Sequence, residues 1–413
     1  MRINERQLEQ VDRQIKRILR SGNYYSRVYE QAGIRGVSSP EDFEKIPFTD
    51  KADLRNAYPL GIQAVPDEQV VRIHSSSGTT GKPVIIPYTA RDVEDWATMF
   101  ARCYEIAGIT AQDRIQITPG YGLWTAGIGF QAGCEKLGAM AIPMGPGNTE
   151  KQLQMMMDLG STVLCATSSY ALLLAEEINK RGLKDRIRLK KGVIGSERWS
   201  DAKRNYIARE LGIELYDIYG LTEIYGPGIG INCDRQHGMH IFDDYLYTEI
   251  IDPKTGEVLP DGEEGEIVIT TLVKEGAPLI RFRTHDLSRI IPGDCPCGRA
   301  WPRLDTIRGR SDDMFKVHGV NMFPSQVEEI LGQVDGVSSE YKIDIAHDDL
   351  INRDIIMVTA EAEGRVDFAQ TAERIRQLFK SRMNVTPKVV IVSLNTLPRS
   401  EKKTQRVFDH RGD

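Results

Sequence analysis

At 413 residues, 40% hydrophobic and 27% charged, the chain has the composition of an ordinary soluble globular protein, long enough for two or three folded units. Its formal charge of −6 and isoelectric point near 5.8 argue against a nucleic-acid surface, which needs concentrated basic residues. No apolar run approaches the roughly 20 residues that span a bilayer, the polar opening residues 1–7 lack a signal-peptide pattern, and six unevenly spaced cysteines are too few for a disulfide scaffold, so a cytoplasmic enzyme is expected.

Residues 8–19 place Leu8, Val11, Ile15, Ile18 and Leu19 at helical spacing between charges, which predicts an amphipathic helix. Tyr24, Tyr25, Val28 and Tyr29 continue an aromatic face that reads as core packing. Residues 40–43 and 49–54 look like short capped helices.

The next stretch, Ser75-Ser76-Ser77-Gly78-Thr79-Thr80-Gly81-Lys82-Pro83, packs hydroxyls, glycines and one lysine between apolar flanks. Glycines let successive N–H groups point at one anion, hydroxyls add donors, and lysine adds a charge suited to phosphate. A Walker loop would continue into a helix. Here Pro83, Val84, Ile85, Ile86, Pro87 and Tyr88 follow, which argues for a strand. The expectation is a polyphosphate cradle between two strands; the bland alternative is a Ser/Gly/Thr-rich surface turn.

Residues 92–108 read as a helix and 114–118 as a strand. The glycine-rich run 120–127 follows, in which Tyr121 and Trp124 could wall an apolar pocket. A strand at 139–143, a helix at 149–159, a strand from 162 and a helix at 170–181 continue the pattern. Such alternation predicts an α/β layered domain with parallel pairing. A strand enters the glycine turn Gly195-Ser196-Glu197-Arg198, a helix covers 201–211, and the strand 214–218 ends in Tyr219-Gly220-Leu221-Thr222-Glu223. Ligands bind beyond the carboxyl ends of such strands. Thr222 could donate to a phosphate and Glu223 could ligate Mg²⁺, although a lone Thr-Glu pair is usually a helix cap.

From Tyr247 the texture becomes hairpin-like, with strands at 248–251, 265–272 and 280–283 that predict an antiparallel β portion. A small α+β unit follows a polar link. The boundary is placed at Asp312, giving domains 1–311 and 312–413.

Six motifs in order now point one way: residues 72–83, 121–125, 219–223, 281–286, 309–313 and 398–403. Almost end to end, the chain resembles the phenylacetate–CoA ligase family of the adenylate-forming (acyl-CoA synthetase-like) enzymes. The resemblance implies a large N-terminal adenylating domain, a small mobile C-terminal α+β lid, and ATP-dependent conversion of a carboxylic acid to an acyl-adenylate. Coenzyme A would then take the acyl group as a thioester. It further implies that Ser76, Ser77, Gly78, Thr79, Thr80, Gly81 and Lys82 grip the β- and γ-phosphates. Ser196, Glu197, Arg198, Asp217, Ile218 and Tyr219 would flank adenine. Thr222 would touch the α-phosphate, Glu223 would hold Mg²⁺, Asp286 would accept the ribose hydroxyls and Arg310 would follow the ribose and phosphate. Asp312 would be the hinge.

The family tail ends Pro-Arg-Ser-Glu-Gly-Lys. Here Lys402 replaces the glycine, so Lys403 aligns with the catalytic lysine and Lys402 is its alternative. A cation there would stabilise charge building on phosphorus. Tyr121, Trp124, Ile218, Gly220 and Pro227 are candidate walls of the acyl pocket. Trp124 stands where the family usually has phenylalanine, and His285 departs from its usual Arg or Gly. An aromatic acid is the expected substrate, with a homodimer as the expected assembly and neither nucleic acid nor membrane as partner.

Cys233, Cys295 and Cys297 with an imidazole have the composition of a structural zinc site. His237 and His240 are both near; the resemblance favours His240. The alternative is three unligated thiols. Cys103, Cys134 and Cys165 lie in apolar elements and read as core. Two further functions are weighed: an adenylating enzyme serving an amine or carrier protein, and a non-catalytic nucleotide-binding homologue. Lys403, Glu223 and Asp286 speak against the second.

Overall fold

The computed structural model describes residues 2–76, 82–197, 199, 201–313, 315–317, 320–348, 353–398 and 406–411. Its contacts divide the chain into a larger unit, Met1–Ser196 with Leu211–Ile307, and a smaller one, Glu197–Glu210 with Arg308–Asp413.

The larger unit contains helices α1 (Glu5–Ser21), α2 (Tyr24–Gln31), α3 (Pro40–Glu44), α4 (Lys51–Asn56), α5 (Ala90–Ile106), α6 (Ala126–Leu137), α7 (Thr149–Asp158) and α8 (Ser168–Lys180). Its first strands are β1 (Val70–Ser75), β2 (Ile85–Thr89), β3 (Arg114–Ile117), β4 (Met140–Pro143), β5 (Val163–Thr167), β6 (Lys191–Gly195) and β7 (Glu214–Leu221). They are followed by β8 (Gly226–Asn232), β9 (Met239–Ile241), β10 (Leu246–Ile251), β11 (Gly265–Thr271), β12 (Phe282–Ser288), β13 (Ile290–Ile291) and β14 (Arg303–Leu304).

Helix starts follow their caps. Asn4 accepts from the Gln7 N–H while the Gln7 side chain accepts from the Asn4 N–H, and Thr89 with Asp92 repeats the device at α5. The apolar stripe of α1 is fully buried at Val11, Ile15 and Ile18. Trp96, Phe100 and Tyr104 on α5 share one core with Ile115, Val163, Val193 and Ile218 of the sheet. Each such side chain contributes about 1.5–3 kcal/mol on burial.

A nine-stranded sheet runs in the order β13-β14-β9-β8-β7-β6-β5-β3-β4. Strands β4, β3, β5, β6 and β7 are parallel, as the alternation in sequence implies. Beyond β7 the sheet turns antiparallel. The antiparallel part therefore begins at β8, earlier than the change of texture at Tyr247. Glycines at 226, 228 and 230 hide a strand whose every residue is buried. β7 likewise runs on through Leu221, so the turn is confined to residues 222–225.

Helix α6 is missing from the sequence reading because its glycines suggest a loop. Close packing explains them: a Cβ at Gly129 would lie 2.5 Å from the Trp96 ring, and one at Gly133 2.6 Å from Phe100. Contact with α5 outweighs helix propensity. Strands β10, β11 and β12 form the expected antiparallel sheet, and β1 pairs with β2 in a hairpin that brackets the Ser/Thr/Gly-rich stretch.

The smaller unit holds α9 (Asp201–Leu211, all but its last residue), β15 (Gly309–Arg310), β16 (Phe315–Val317), β17 (Val320–Met322), α10 (Pro324–Leu331), β18 (Val337–Asp348), β19 (Arg353–Ala362), α11 (Phe368–Met383), β20 (Lys388–Ser393) and β21 (Val407–Asp409). Its sheet has the order β20-β19-β18-β21. Val327 and Ile330 of α10 and Ile375 and Phe379 of α11 join Ile343, Ile345 and Val358 in its core. Among the described residues no helix is long and apolar enough to cross a membrane.

Candidate active site

The carboxyl ends of β3, β6 and β7 share one edge of the sheet, where a parallel fold presents its ligand-binding turns. The Tyr121 and Trp124 loop follows β3, Ser196 follows β6, and the Thr222–Glu223 turn follows β7. The hydroxyls of Thr125 and Thr222 lie 3.3 Å apart and join the first and third of these segments.

The root of the Ser/Thr/Gly-rich stretch meets the same loop. Leu123 O accepts from the Ser75 N–H at 2.8 Å and faces His74 Nδ1 at 3.1 Å. His74 is buried edge-on to Tyr88 and Trp96, and burial pushes its pKa down to about 4. The ring is therefore neutral, with Nδ1 the donor to that carbonyl. Ser76 closes the base of the stretch: its N–H donates to Val84 O and its Oγ accepts from the Val84 N–H, both at 3.0 Å. Lys82 lies 5.4 Å from the Tyr58 ring centroid. Ser77, Gly78, Thr79, Thr80 and Gly81 lie outside the described residues, as do Arg198, Lys402 and Lys403.

Asp286 reaches its place through a bulge in β12. Glu266 pairs with Leu287 and Val268 with Arg283, so Thr284, His285 and Asp286 all face Ile267. Thr284 Oγ1 accepts from the Asp286 N–H at 3.1 Å and donates to Ile267 O at 2.8 Å, and His285 takes φ +64°. A bulge of this kind re-aims a side chain. Asp286 Oδ2 accepts from Tyr219 Oη at 2.7 Å. The arginines of the same motif are clamps: Arg281 forks Glu249 at 3.0 and 3.2 Å, and Arg283 forks Glu266 at 2.7 and 2.9 Å. On β7, the Asp217 N–H donates to Asn232 Oδ1 at 2.7 Å, and Ile218 lies opposite Gly195.

Glu223 is buried, and its Oε1 lies 2.8 Å from Lys51 Nζ on α4. Beneath the same turn, Lys274 Nζ donates to the carbonyls of Glu223 and Ile224. Burial lowers the Lys274 ammonium to about 7 against the pull of Asp92 and Glu223. Sequence reasoning missed both lysines. Nothing in the local pattern marks Lys274 as buried, since lysine is almost always exposed.

Of the candidate pocket walls, Tyr121 is half-buried, and its enclosed hydroxyl has no hydrogen-bond partner among the described residues. Burial pushes its phenol pKa up. Trp124 is more exposed, at 36%. Gly220 and Pro227 pair across β7 and β8. A Cβ at Gly220 would stand 2.0 Å from Gly226 O, so the hairpin requires glycine there. Pro227 is buried, and its carbonyl accepts from Trp96 Nε1 at 2.8 Å. In the smaller unit, Glu197 is half-buried and Arg310 forks Asp312 at 2.8 Å through both Nε and Nη2.

A profile of the AMP-binding enzymes matches residues 24–272, and one of the AMP-binding enzyme C-terminal domain matches residues 319–411. The phenylacetate-coenzyme A ligase of Pseudomonas putida is 40% identical over 99% of this chain and 94% of that protein. The phenylacetate-coenzyme A ligase of Escherichia coli (strain K12) is 42% identical over 94% of this chain and 90% of that protein. The chain belongs to the phenylacetate–CoA ligase family of AMP-binding enzymes. A crystal structure of 2-hydroxyisobutyryl-CoA ligase in its postadenylation state, in complex with 2-HIB-AMP, superposes with a TM-score of 0.88 at 26% identity. That match covers 98% of this chain and 89% of the other.

This family member also carries a thiol–imidazole cluster in the antiparallel half of its sheet. Cys233 follows β8, His240 lies on β9, and Cys295 and Cys297 sit in the loop that returns to β14. β14 pairs with β9, Arg303 opposite His240, and the Arg303 guanidinium donates to the carbonyls of His237, Gly293 and Asp294. The four ligand atoms lie within 4.8 Å of one another. Cys233 Sγ and Cys295 Sγ are 3.7 Å apart, close to the edge of a tetrahedron with Zn–S bonds of about 2.3 Å. Cys297 Sγ is 3.3 Å from His240 Nε2, and the other ring nitrogen of His240 faces Trp301 O at 3.2 Å. That second contact orients the ring with Nε2 towards the thiols. His237 is exposed and stands outside the cluster.

Proposed function

We propose that this chain is an AMP-forming acid–coenzyme A ligase. A carboxylate oxygen attacks the α-phosphorus of ATP, giving an acyl-adenylate and pyrophosphate. The thiol of coenzyme A then attacks the acyl carbon, giving a thioester and AMP. The observation that carries the reading is the likeness over nearly the whole chain to phenylacetate-coenzyme A ligases. The turns at the carboxyl ends of β3, β6 and β7 support it.

In this reading Ser76, Ser77, Gly78, Thr79, Thr80, Gly81 and Lys82 hold the β- and γ-phosphates. Ser196, Glu197, Arg198, Asp217, Ile218 and Tyr219 enclose adenine, and Asp286 takes the ribose hydroxyls. Thr222 donates to the α-phosphate. Glu223, a buried carboxylate, fits the Mg²⁺ that accompanies ATP and would hold it there. Lys403 stabilises the charge that develops at phosphorus. Domains 1–311 and 312–413 meet at the hinge Asp312, and Arg310 follows the ribose and phosphate. Tyr121, Trp124, Gly220 and Pro227 bound the acyl pocket, which would take an aromatic acid of phenylacetate or benzoate type. Cys233, His240, Cys295 and Cys297 fit a closed structural zinc site. None of the six cysteines forms a disulfide, which suits the reducing cytoplasm.

The test is pyrophosphate release over a panel of carboxylic acids, with and without coenzyme A. Release with an aromatic acid, followed by consumption of the adenylate when coenzyme A is added, is expected. An adenylate that coenzyme A never discharges removes the ligase reading, and no pyrophosphate with any acid removes adenylation. Lys403→Ala should abolish pyrophosphate release while ATP still binds; full activity in that variant overturns the role given to Lys403.

A further inference from the structure

Lys274 lies between β11 and β12 with no exposed surface. Burying an ammonium group is costly unless charge or hydrogen bonds compensate. Here Nζ donates to Glu223 O at 3.4 Å and to Ile224 O, and it lies 4.5 and 4.8 Å from the ring centroids of Tyr88 and Tyr225. Tyr88 Oη donates to the next carbonyl, Tyr225 O, at 3.0 Å. Three successive carbonyls of one short turn are thus held by two side chains from elsewhere in the fold.

The lysine is itself held in place. Asp92, in the first turn of α5, accepts the N–H groups of Glu275 at 2.7 Å and Gly276 at 2.8 Å. The loop carrying Lys274 is therefore anchored to the helix that packs under the β7–β8 hairpin. Lysine suits the position chemically. Its three N–H donors can serve two carbonyls while the ammonium faces two aromatic rings. Methionine would fill the space and leave both carbonyls unpaired.

We propose that Lys274 is a positioning residue for adenylation, an internal donor that fixes the Glu223 and Ile224 carbonyls and so sets where the Thr222 hydroxyl and Glu223 carboxylate stand. The inference rests on the reading of Thr222 and Glu223 as working groups. A residue of this kind acts on the chemical step through the turn and touches neither nucleotide nor acid.

A double-mutant cycle tests it, with Lys274→Met, Glu223→Gln and the pair compared by pyrophosphate release under varied ATP and acid. Lys274→Met should lower kcat about 10- to 100-fold, as loss of an outer support does, with KM for either substrate changing far less. Because both changes act through one turn, the double variant should match the slower single variant to within about twofold. Multiplying effects, or a lowered Tm with unchanged kcat, overturn the proposal. Full activity in Glu223→Gln removes the functional reading of the turn, and the proposal with it. A slow Glu223→Gln with an independent Lys274→Met effect overturns the proposal alone. If Lys274→Met does not fold, Lys274→Gln, which keeps an N–H donor, enters the same cycle: a smaller kcat loss that does not multiply with that of Glu223→Gln supports the proposal, and multiplying effects overturn it.

Discussion

Tyr219 Oη donates to Asp286 Oδ2 at 2.7 Å, a hydrogen bond that ties the end of β7 to the bulge of β12. Two sheets therefore meet at residues proposed to flank adenine and bind ribose. That bond holds the orientation of the carboxylate proposed to accept the ribose hydroxyls. Tyr219→Phe removes the donor and keeps the ring. Loss of a bond to a charged acceptor costs about 1.5 kcal/mol, so KM for ATP should rise about tenfold with kcat changed less. Steady-state kinetics with ATP varied provide the check, and an unchanged KM would remove Asp286 orientation as the role of Tyr219.

Helix α4 makes a second link that composition does not reveal. Its cap Asp50 lies 3.1 Å from His285, and its first residue Lys51 lies 2.8 Å from Glu223. The Glu223 side chain is only 6% exposed, against 35% for Lys51. Removing the cation leaves a buried carboxylate uncompensated. Lys51→Met should lower the Tm of the nucleotide-free protein, with a loss of about 1–3 kcal/mol, and Mg²⁺ with ATP should recover part of it. Thermal denaturation with and without the nucleotide reads both effects. Equal Tm values for variant and wild type would contradict the prediction.

The legible parts of the molecule are those where local pattern and tertiary environment agree. The stripe of α1, the parallel strands β3 to β7 and the β1–β2 hairpin announce themselves through periodicity and turn chemistry. Strand β8 and helix α6 do not, because their glycines answer to neighbours distant in sequence, Trp96 and Phe100 among them. The same holds at the candidate site. Motif residues such as Tyr219 and Asp286 can be picked out singly, but not their contact, which depends on a bulge with three residues facing one. Lys51 and Lys274 lie outside every motif, and only the folded chain brings them to Glu223.

The His285 bulge also shapes the response to acid. A hydrogen bond from His285, aided by the Ala52 N–H, lowers Asp50 from 3.8 to about 2 despite burial. Burial would raise Glu266, but bonds from His285 and Arg283 outweigh it and hold Glu266 at about 2 instead of 4.5. Both folded-state values lie below the unfolded ones. Their stabilisation is thus present above about pH 4.5 and fades as the pH falls towards 2. His285→Asn tolerates the positive φ and removes the imidazole. Its Tm should fall less steeply over that window than that of the wild type. Parallel Tm profiles would show that His285 does not contribute.

Zinc at the thiol–imidazole cluster gives the last prediction. Cys233, His240, Cys295 and Cys297 bring β8, β9 and the loop before β14 to one point, and Arg303 already fastens that loop through three carbonyls. A metal here would act on the antiparallel end of the sheet and leave the turn at Thr222 untouched. Purified protein should contain about one zinc per chain. Chelation, Cys295→Ser or His240→Ala should lower Tm and release the metal, while KM for ATP in the remaining folded protein stays near the wild-type value. His237→Ala should keep the zinc, since His237 stands outside the cluster. A metal-free preparation as stable as the zinc-loaded protein would reduce the cluster to three unligated thiols beside a histidine, with Arg303 still securing the loop.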